Sequence, residues 1–424
     1  MKKKQAIVLL LIFIILTGIS IIKINEKKLK NNHEYNIYVV NATLPTLLIT
    51  MDMIENKENN TFLYYAREST LDVEKLKDNI PQLTLSSHIG NYESIYNDLY
   101  IEIQEYVKNI LKKDSKAHFT LIVDEYRGWL EFPIFIEQGL TDEQYTIRYY
   151  SDGTLSYVAN YEILKENKYD FFQEEKENYL NLIKKVRNGN HKCVITCDYL
   201  VNKEIGETKN LIDYPYDANY VLLATLRDNV EYYIQYPELI KYQDDKISEE
   251  MSKANIYKLD VKEKFEKLNL KQKKIFFELI KFDKETFDKN YFNDETGKYL
   301  IITGSNPFYG KYTEDTFNRL IKNVIDEYQE EYKILYKPHP SALPNETQTE
   351  FLKDYNISIL PGQMPMEAIS FVYKDLKLGG FPGSLYMSVE NESALFFFEE
   401  SKEELVSPLN ILYDDMFYTT KIMN

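Results

Sequence analysis

The sequence predicts an α/β protein in which two Rossmann-like domains face each other across a cleft, preceded by one N-terminal transmembrane helix. Its 424 residues are too many for one average domain and fit two. In both halves, short runs of β-branched and aromatic residues alternate with segments of helical spacing, which is typical of parallel sheets covered by helices. A long apolar run near the start of the chain predicts the membrane helix.

The apolar run extends from Ala6 to Ile22 and follows three lysines at positions 2–4. As a helix it would be roughly 25 Å long, which is just enough for a bilayer core. A cleaved signal peptide is the competing interpretation. No small-residue cleavage pattern precedes Lys23, so we expect an uncleaved anchor that holds the chain in the membrane through residues 6–22. The polar residues 23–33 predict a tether.

The charge of the chain is unevenly distributed and excludes one class of partner. Its net charge is −16, and the first 30 residues contain seven lysines and one glutamate, so the remainder carries −22. Nucleic-acid backbones require a basic surface, so we expect no nucleic-acid partner. A single anionic small ligand, held by a few local donors, remains compatible with an acidic body.

The first half, residues 34–222, is predicted to form one domain. Its predicted strands are Asn36–Val40, Thr61–Tyr65, Phe119–Val123 and Thr146–Tyr150, and its predicted helices are Thr46–Glu55 and Tyr92–Leu111. Residues 160–280 are rich in Glu, Lys and Tyr, and we expect them to be mostly helical.

The second domain is predicted over residues 223–400, because the strand-and-helix pattern restarts at Tyr299. A return to the first domain is one expectation for residues 401–424. The predicted strands are Tyr299–Thr303, Lys333–Tyr336, Ile357–Leu360 and Leu376–Leu378, and the predicted helices are Glu314–Tyr328, Met366–Tyr373 and Ser384–Glu390.

Ligands of parallel α/β sheets bind beyond the carboxyl ends of the strands, and Asp152 follows such an end. It belongs to the turn Tyr150-Ser151-Asp152-Gly153-Thr154, which closes the strand Thr146–Tyr150. A carboxylate here could act as a general base toward a sugar hydroxyl. An ordinary Ser-Asp-Gly turn is the alternative interpretation.

His339 follows a second strand, between two prolines, in Lys337-Pro338-His339-Pro340. The prolines restrict the backbone on both sides of the histidine and prevent it from continuing a helix or a central strand. A lysine and a histidine together suit an anionic oxygen, with the histidine as donor or acid. A rigid loop with an exposed histidine is the alternative.

Two further features indicate a phosphate and ribose site. Gly379-Gly380-x-x-Gly383-Ser384 lies at a predicted strand-to-helix junction, where glycines allow close approach and a helix N-terminus offers N–H groups. Helix capping by Ser384 is the alternative. Glu367 begins a short helix, where it could bind ribose hydroxyls or simply complement the helix dipole.

Segments of the chain resemble the bacterial sialyltransferases of glycosyltransferase family 80, in the order of that family. The family's patterns include Tyr-Asp-Asp-Gly-Ser-x-Glu-Tyr-Val, Phe-Lys-Gly-His-Pro and Val-Gly-Gly-x-x-Ser-Ser-Leu-Tyr-Phe-Ser. The resemblance runs from about Tyr35 to about Ser388. The matching segments are Tyr38–Pro45 (YVVNATLP), Tyr150–Val158 (YSDGTLSYV), Ile302–Phe308 (ITGSNPF), Tyr336–Pro340 (YKPHP) and Leu378–Ser388 (LGGFPGSLYMS).

The resemblance implies a GT-B fold and inverting transfer of sialic acid from its CMP-activated form to a galactoside-type glycan acceptor. It implies no cofactor and no metal. Asp152 matches the base of the family, His339 matches the histidine that helps CMP leave, and Phe308 matches an aromatic residue near the acceptor. The donor-binding residues that it implies are Gly304, Ser305, Lys337, Pro340, Glu367, Gly383 and Ser384.

Four departures from the family's patterns concern the site. Ser151 replaces the first Asp of an acidic pair, Pro338 replaces Gly, and Gly383 replaces the first of two serines. Val40-Asn41 stands where the family often has Asp. The acceptor-binding residue is not fixed by the resemblance, and its candidates are Asp124, Tyr126 and Arg127.

Two alternative functions stay open at this point. One is transfer of another CMP-activated acid sugar, such as a legionaminic-type acid or Kdo. The other is a membrane-tethered glycan-binding module that has lost turnover, although the retention of Asp152 and His339 favours an enzyme. Because CMP-sugars are made in the cytoplasm, we expect a single-pass protein of the cell membrane with its catalytic domain on the cytoplasmic side.

Overall fold

The computed structural model describes most of the chain after the predicted tether. The described residues are 33–40, 42–65, 71–87, 99–151, 153, 156–157, 169–188, 193–196, 199–202, 209–210, 218–239, 245–293, 297–304, 313–340, 342–389, 391–399 and 421–423. The anchor predicted at Ala6–Ile22 lies outside them and stays a prediction. Among the residues described, no helix has both the length and the apolar character of a membrane span.

Seven described strands form the first sheet, in the order β10-β9-β5-β4-β1-β2-β3, and every neighbouring pair is parallel. The strands are β1 (Glu34–Val40), β2 (Asn60–Tyr65), β3 (Leu83–Leu85), β4 (His118–Asp124), β5 (Tyr145–Tyr150), β9 (Val230–Ile234) and β10 (Ile256–Lys258). The central strands are buried on both faces, as a parallel sheet covered by helices requires.

A second parallel sheet contains six described strands, in the order β13-β12-β11-β14-β15-β16. The strands are β11 (Tyr299–Thr303), β12 (Lys333–Lys337), β13 (Ser358–Ile359), β14 (Lys377–Gly380), β15 (Ala394–Phe398) and β16 (Lys421–Met423). The predicted α/β class with two parallel-sheet domains is therefore confirmed.

Twelve α-helices are described along the chain. They are α1 (Thr43–Glu55), α2 (Val73–Asn79), α3 (Leu99–Leu111), α4 (Tyr169–Arg187), α5 (Ala218–Ala224), α6 (Asp245–Met251), α7 (Val261–Lys267), α8 (Leu270–Leu279), α9 (Lys284–Tyr291), α10 (Glu314–Tyr328), α11 (Glu346–Asp354) and α12 (Met366–Val372).

Helix α10 shows how local sequence sets these boundaries. The Thr313 hydroxyl accepts a hydrogen bond from the Thr316 N–H (3.2 Å), which caps the first turn. Apolar residues then recur at helical spacing, and all of them are buried against the second sheet: Phe317, Leu320, Ile321, Val324 and Ile325. The structure places this helix at the residues predicted from the sequence.

The segment between residues 160 and 280 differs from the largely helical expectation. It contains α4 to α8, but also a small antiparallel sheet of β6 (Cys193–Thr196), β7 (Tyr199–Asn202) and β8 (Lys209–Asn210). It further contains β9 and β10 of the first sheet. These strands are only two to five residues long. Strands this short show too little periodicity to be recognised in a segment rich in Glu and Lys.

The predicted domain boundary after residue 222 does not coincide with the end of the first sheet. Strand β9 pairs with β5, and β10 pairs with β9, so the first sheet continues to Lys258. The alternating burial of Val230, Tyr232 and Ile234 explains this pairing, because one face of the strand packs into the core. At the C-terminus, β16 pairs with β15 of the second sheet, while residues 401–420, over which a return to the first domain was predicted, lie outside the described residues.

Arg227 forms the centre of a buried network in the first domain. Its guanidinium contacts the carboxylate of Glu131 and donates hydrogen bonds to Asp142 Oδ1 (2.8 Å), the Tyr145 hydroxyl (2.8 Å) and the Tyr179 hydroxyl (3.0 Å). The side chains of Arg227 and Glu131 are only 10% and 1% exposed. The network therefore joins β5, α4 and the turn before β9 inside the domain.

We predict that Arg227→Ala strongly destabilises this domain. The change leaves the Glu131 carboxylate buried without its cation, and breaking a buried pair in this way costs about 3–5 kcal/mol. Arg187→Ala is the matched control, because Arg187 reaches the same Asp142 with 37% of its side chain exposed. That variant should lose less than about 1 kcal/mol. Urea unfolding measures both, and equal losses would contradict the assigned role of the network.

Candidate active site

Three loops of the second domain meet because their strands are neighbours. Strand β11 lies between β12 and β14, and all three are parallel, so their carboxyl ends share one edge of the sheet. The Gly304 N–H after β11 donates to the Lys337 carbonyl (2.9 Å). The Thr303 hydroxyl lies within hydrogen-bond distance of the Gly379 carbonyl (3.1 Å) and the Phe381 carbonyl (3.0 Å). The structure thus joins predicted donor loops that are far apart in sequence.

Gly304 permits the close contact between the first two loops. A Cβ at this position would lie 2.5 Å from the Tyr336 hydroxyl oxygen and 3.3 Å from Pro338 Cα. Since real Cβ atoms essentially never approach other atoms within 3 Å, a side chain here would push the Tyr336 hydroxyl away and crowd the backbone at Pro338. A larger residue here would therefore have to displace the Tyr336 side chain, so packing favours glycine whatever else the position contacts.

Lys337 and Glu367 are both buried, and each influences the pKa of the other. Each residue is 6% exposed. Burial lowers the pKa of Lys337 to about 8, and the nearby Glu367 carboxylate works against that shift. Burial raises the pKa of Glu367, whereas the Lys337 charge and a backbone hydrogen bond lower it. Two residues predicted to bind the donor are thus adjacent in a site of low polarity.

The Lys337 ammonium also holds the loop that carries His339. It donates to the carbonyls of Pro338 (3.0 Å) and Gly362 (2.8 Å). The Ala342 N–H donates to the His339 carbonyl (3.0 Å), and the Gln363 side-chain amide donates to the Pro340 carbonyl (2.9 Å). The backbone on both sides of the histidine is therefore fixed, with His339 itself half-buried.

The loop after β14 ends in a single 3₁₀ turn, Ser384–Met387, whereas a longer helix to Glu390 was predicted. The hydroxyl of the buried Tyr386 lies 2.9 Å from the Thr303 hydroxyl. This contact fixes the turn against β11. One turn offers a phosphate a few N–H groups but little helix dipole, so any anion binding here would depend on local hydrogen bonds.

The turn of Asp152 and the loop of Ser384 contact each other across the two domains. Gly153 has a φ of +115°, and a Cβ there would lie 2.5 Å from Ser384 Cβ and 3.2 Å from Ser384 Oγ. Only glycine suits both this backbone conformation and this contact. The carboxyl ends of the two sheets therefore face each other, as the predicted cleft requires.

Residues after β9 add two contacts between the domains, which no local sequence pattern predicts. The Gln235 side-chain amide donates to Ser388 Oγ (2.8 Å), and the Tyr236 hydroxyl donates to the Met387 carbonyl (3.3 Å). The Tyr236 N–H in turn donates to the Tyr157 hydroxyl (2.8 Å). These bonds hold the Ser384–Met387 turn against the first domain.

The remaining predicted site residues are only partly covered by the structure. Asp152, Ser305 and Phe308 lie outside the described residues, although Ser151, Gly153 and Gly304 beside them are described. Among the acceptor candidates, Asp124 is fully buried and Arg127 is half-buried. The side chain of Tyr126 is not described. Within the described part of the chain, no group of three His, Cys, Asp or Glu side chains could hold a metal ion.

No protein-family profile matches the chain, and no curated protein matches its sequence. Solved structures do match. An α/β-galactoside α-2,3-sialyltransferase from the luminous marine bacterium Photobacterium phosphoreum has a TM-score of 0.67 and 17% identity, over 92% of this chain and 99% of its own.

Two further solved structures agree with the first. A 2,6-sialyltransferase from Photobacterium sp. JT-ISH-224, in a ternary complex with the donor product CMP and lactose, has a TM-score of 0.66 and 18% identity, over 92% of this chain and 78% of its own. The GT-B domain of a Photobacterium damselae sialyltransferase has a TM-score of 0.63 and 18% identity, over 92% and 98% of the two chains.

These likenesses establish the fold. The chain has the GT-B architecture of the bacterial sialyltransferases that its motifs resemble, and the predicted GT-B fold is therefore confirmed.

We predict that Gly380→Ala destabilises the loop after β14, while Gly383→Ala does not. Gly380 has a φ of +117°, and a Cβ there would lie 2.6 Å from the Thr303 carbonyl oxygen. Backbone strain of this kind costs about 1–3 kcal/mol. Gly383 has an extended φ of −166°, and no described atom lies within 4 Å of its added Cβ. Thermal unfolding measures both variants, and similar midpoints would contradict the assigned packing.

A second prediction follows from the lowered pKa of Lys337. Its folded-state pKa is about 8 against an ordinary value of 10.5. Between these values the unfolded chain keeps the proton that the folded chain has released. The contribution of Lys337 to the free energy of unfolding therefore rises with pH in this window and is lost as pH falls through 8.

Lys337→Met should abolish this rise. Relative to the variant, the native chain should gain up to about 1.4 kcal/mol per pH unit across the window, measured by urea unfolding. Lys333→Met is the control, because Lys333 lies on the same strand and bonds the Asn293 side chain at the surface (2.6 Å). A pH-independent difference between the native chain and Lys337→Met would disprove the assignment.

Proposed function

We propose that the chain is a sialyltransferase that transfers sialic acid from CMP-N-acetylneuraminic acid to a galactoside-type glycan acceptor, with inversion and without a metal. One observation carries the proposal. The turn containing Asp152 faces the Ser384 loop at the carboxyl ends of the two sheets, in a GT-B fold shared with solved sialyltransferases. One of those enzymes is in complex with CMP and lactose, which supports a CMP-linked donor and a glycan acceptor here.

Asp152 is proposed as the general base. Its carboxylate takes the proton of the acceptor hydroxyl as the hydroxyl oxygen forms a bond to the anomeric carbon of the donor sugar. The bond from that carbon to the phosphate oxygen breaks on the opposite face, and its electron pair leaves with CMP. The reaction therefore inverts the configuration at the anomeric carbon.

The leaving phosphate gains negative charge as that bond breaks, and the second domain is proposed to stabilise it. His339 would donate to the departing phosphate oxygen, and the Ser384 hydroxyl and nearby N–H groups would bind the others. Donors that are already fixed are effective because they need not reorganise during the reaction. The hydrogen bonds on either side of His339 support such a role.

Glu367 is proposed to bind the ribose hydroxyls. It lies in the first turn of α12 and is buried beside Lys337. The Lys337 ammonium bonds two carbonyls, so we propose that it supports the histidine loop and adds positive potential near the phosphate. Gly304, Ser305, Pro340 and Gly383 complete the proposed donor site, and Phe308 is proposed to contact the acceptor.

We predict that the full chain in mild detergent releases CMP from CMP-N-acetylneuraminic acid, and that lactose accelerates the release. Asp152→Asn and His339→Ala should each reduce the rate by about a hundredfold or more, since general acid–base groups contribute factors of this size. His33→Ala is the control, because His33 pairs with Asp114 (2.7 Å) before β1, at the opposite end of the first sheet.

Different failures of this experiment have different meanings. Unchanged activity in Asp152→Asn would overturn the proposed mechanism. Turnover only with another CMP-activated acid sugar would keep the mechanism and change the donor. CMP binding without turnover of any such donor would favour a glycan-binding module, an alternative supported by the loss of one serine hydroxyl at Gly383.

A further inference from the structure

A buried chain of hydrogen bonds connects the end of β4 to the turn of Asp152. Glu125 follows β4 directly, and Glu125, Ser151 and Ser156 are all 0% exposed. The Ser156 hydroxyl donates to the Glu125 carboxylate. The Ser151 hydroxyl donates to Ser156 Oγ (2.9 Å), and the Gly153 N–H donates to Ser151 Oγ (3.2 Å).

All three hydrogen bonds of this network run in one direction, from the Gly153 N–H toward the Glu125 carboxyl group. A backbone N–H can only donate, so Ser151 accepts from Gly153 and gives its single hydrogen to Ser156. The Ser156 hydroxyl in turn donates its own hydrogen to Glu125 Oε1. Hydrogen bonds aligned in one direction polarise and strengthen each other in a buried environment.

The network of hydrogen bonds includes both sequence neighbours of Asp152. Ser151 precedes Asp152 and Gly153 follows it, so the turn is held on both sides by one network. Gly153 also contacts Ser384 of the second domain. The position of this turn relative to the donor loop therefore depends on a carboxylate that lies 27 residues earlier in the sequence.

The two serines stand at positions where the resembling motif carries acids. That motif reads Tyr-Asp-Asp-Gly-Ser-x-Glu-Tyr-Val, and this chain has Ser151 and Ser156 in place of the first Asp and the Glu. Several buried carboxylates close together would repel one another. In this protein the carboxyl group of the network comes from Glu125, and the two serines link it to the turn.

We propose that Glu125 is a positioning residue, which holds the turn of Asp152 in place through Ser156 and Ser151. The inference rests on the proposed function for its catalytic consequence, but not for its structural one. Glu125 does not touch the reacting atoms. It acts by fixing the backbone that presents the general base to the acceptor hydroxyl.

The test uses the full chain with Glu125→Gln, Ser156→Ala and the double variant. Each single change should lower kcat for lactose-stimulated CMP release at least tenfold, while the Kd for CMP stays within about threefold because the donor loops are intact. The kcat of the double variant should be no lower than that of the more impaired single variant, since both changes break the same network of hydrogen bonds. Ser156→Ala removes one hydroxyl only, so a fold defect in Glu125→Gln leaves the proposal testable.

Glu131→Gln is the matched control for loss of a buried carboxylate. Glu131 is 1% exposed and lies in the same domain, but it accepts from Tyr145 (2.7 Å) rather than from the Asp152 turn. This variant should lose stability without a tenfold loss of kcat in the folded protein. Native kcat in both Glu125→Gln and Ser156→Ala, or additive losses in the double variant, would overturn the proposal.

Hydrogen exchange separates failure of this proposal from failure of the proposed function. Amides of the peptide spanning residues 150–157 should exchange at least tenfold faster in Glu125→Gln and Ser156→Ala than in the native chain or Glu131→Gln. This readout does not require turnover. Unchanged exchange in Glu125→Gln and Ser156→Ala would disprove the network's role even if the enzyme is active. Faster exchange in these variants, in a protein that releases no CMP, would contradict only the proposed function.

Discussion

The approach of Gly153 to Ser384 is the constraint on which the geometry of the cleft depends. It brings together the ends of β5 and β14, which belong to different sheets, with no room for a side chain on Gly153. The bonds from Gln235 and Tyr236 to Ser388 and Met387 act on the other end of the same short turn. The segment from Ser384 to Ser388 is therefore held at two points by the first domain. Its position follows from that domain as well as from its own sheet.

The buried polar groups near this contact fix the positions of the surrounding loops more than they add to the free energy of unfolding. Burial lowers the pKa of Lys337, and its ammonium bonds the carbonyl of Pro338, beside His339, and the carbonyl of Gly362 in the loop after β13. Tyr150, the residue before the Ser151 turn, donates to the buried Asp52 carboxylate (2.6 Å). Such groups cost free energy to desolvate, and paired groups recover it only when their geometry is good. Their concentration at the carboxyl ends of the strands fits a site whose backbone must be fixed before substrate arrives.

The sequence predicted features that are determined locally and missed those that depend on register. Strands such as Tyr299–Thr303 and helix Glu314–Tyr328 were predictable because their periodicity and caps lie within the segment. The place of β9 in the first sheet was not, because its pairing with β5 is set by tertiary contacts. Glu125 was also missed, although Asp152, His339 and Glu367 could be named. A glutamate after a strand is common, and only the fold shows that it meets Ser156.

The departures from the resembling motifs then have different physical meanings. At Ser151 and Ser156 the lost acids have a counterpart, because a carboxylate from β4's end reaches the same turn through two hydroxyls. At Gly383 the position itself carries no hydroxyl, and no described atom lies within 4 Å of the point where a side chain would begin. The base side of the proposed reaction is thus rebuilt with different residues, whereas the phosphate side has one hydroxyl fewer. Any functional difference from the resembling enzymes should therefore appear first in how tightly the donor phosphate is bound, rather than in the removal of the acceptor proton.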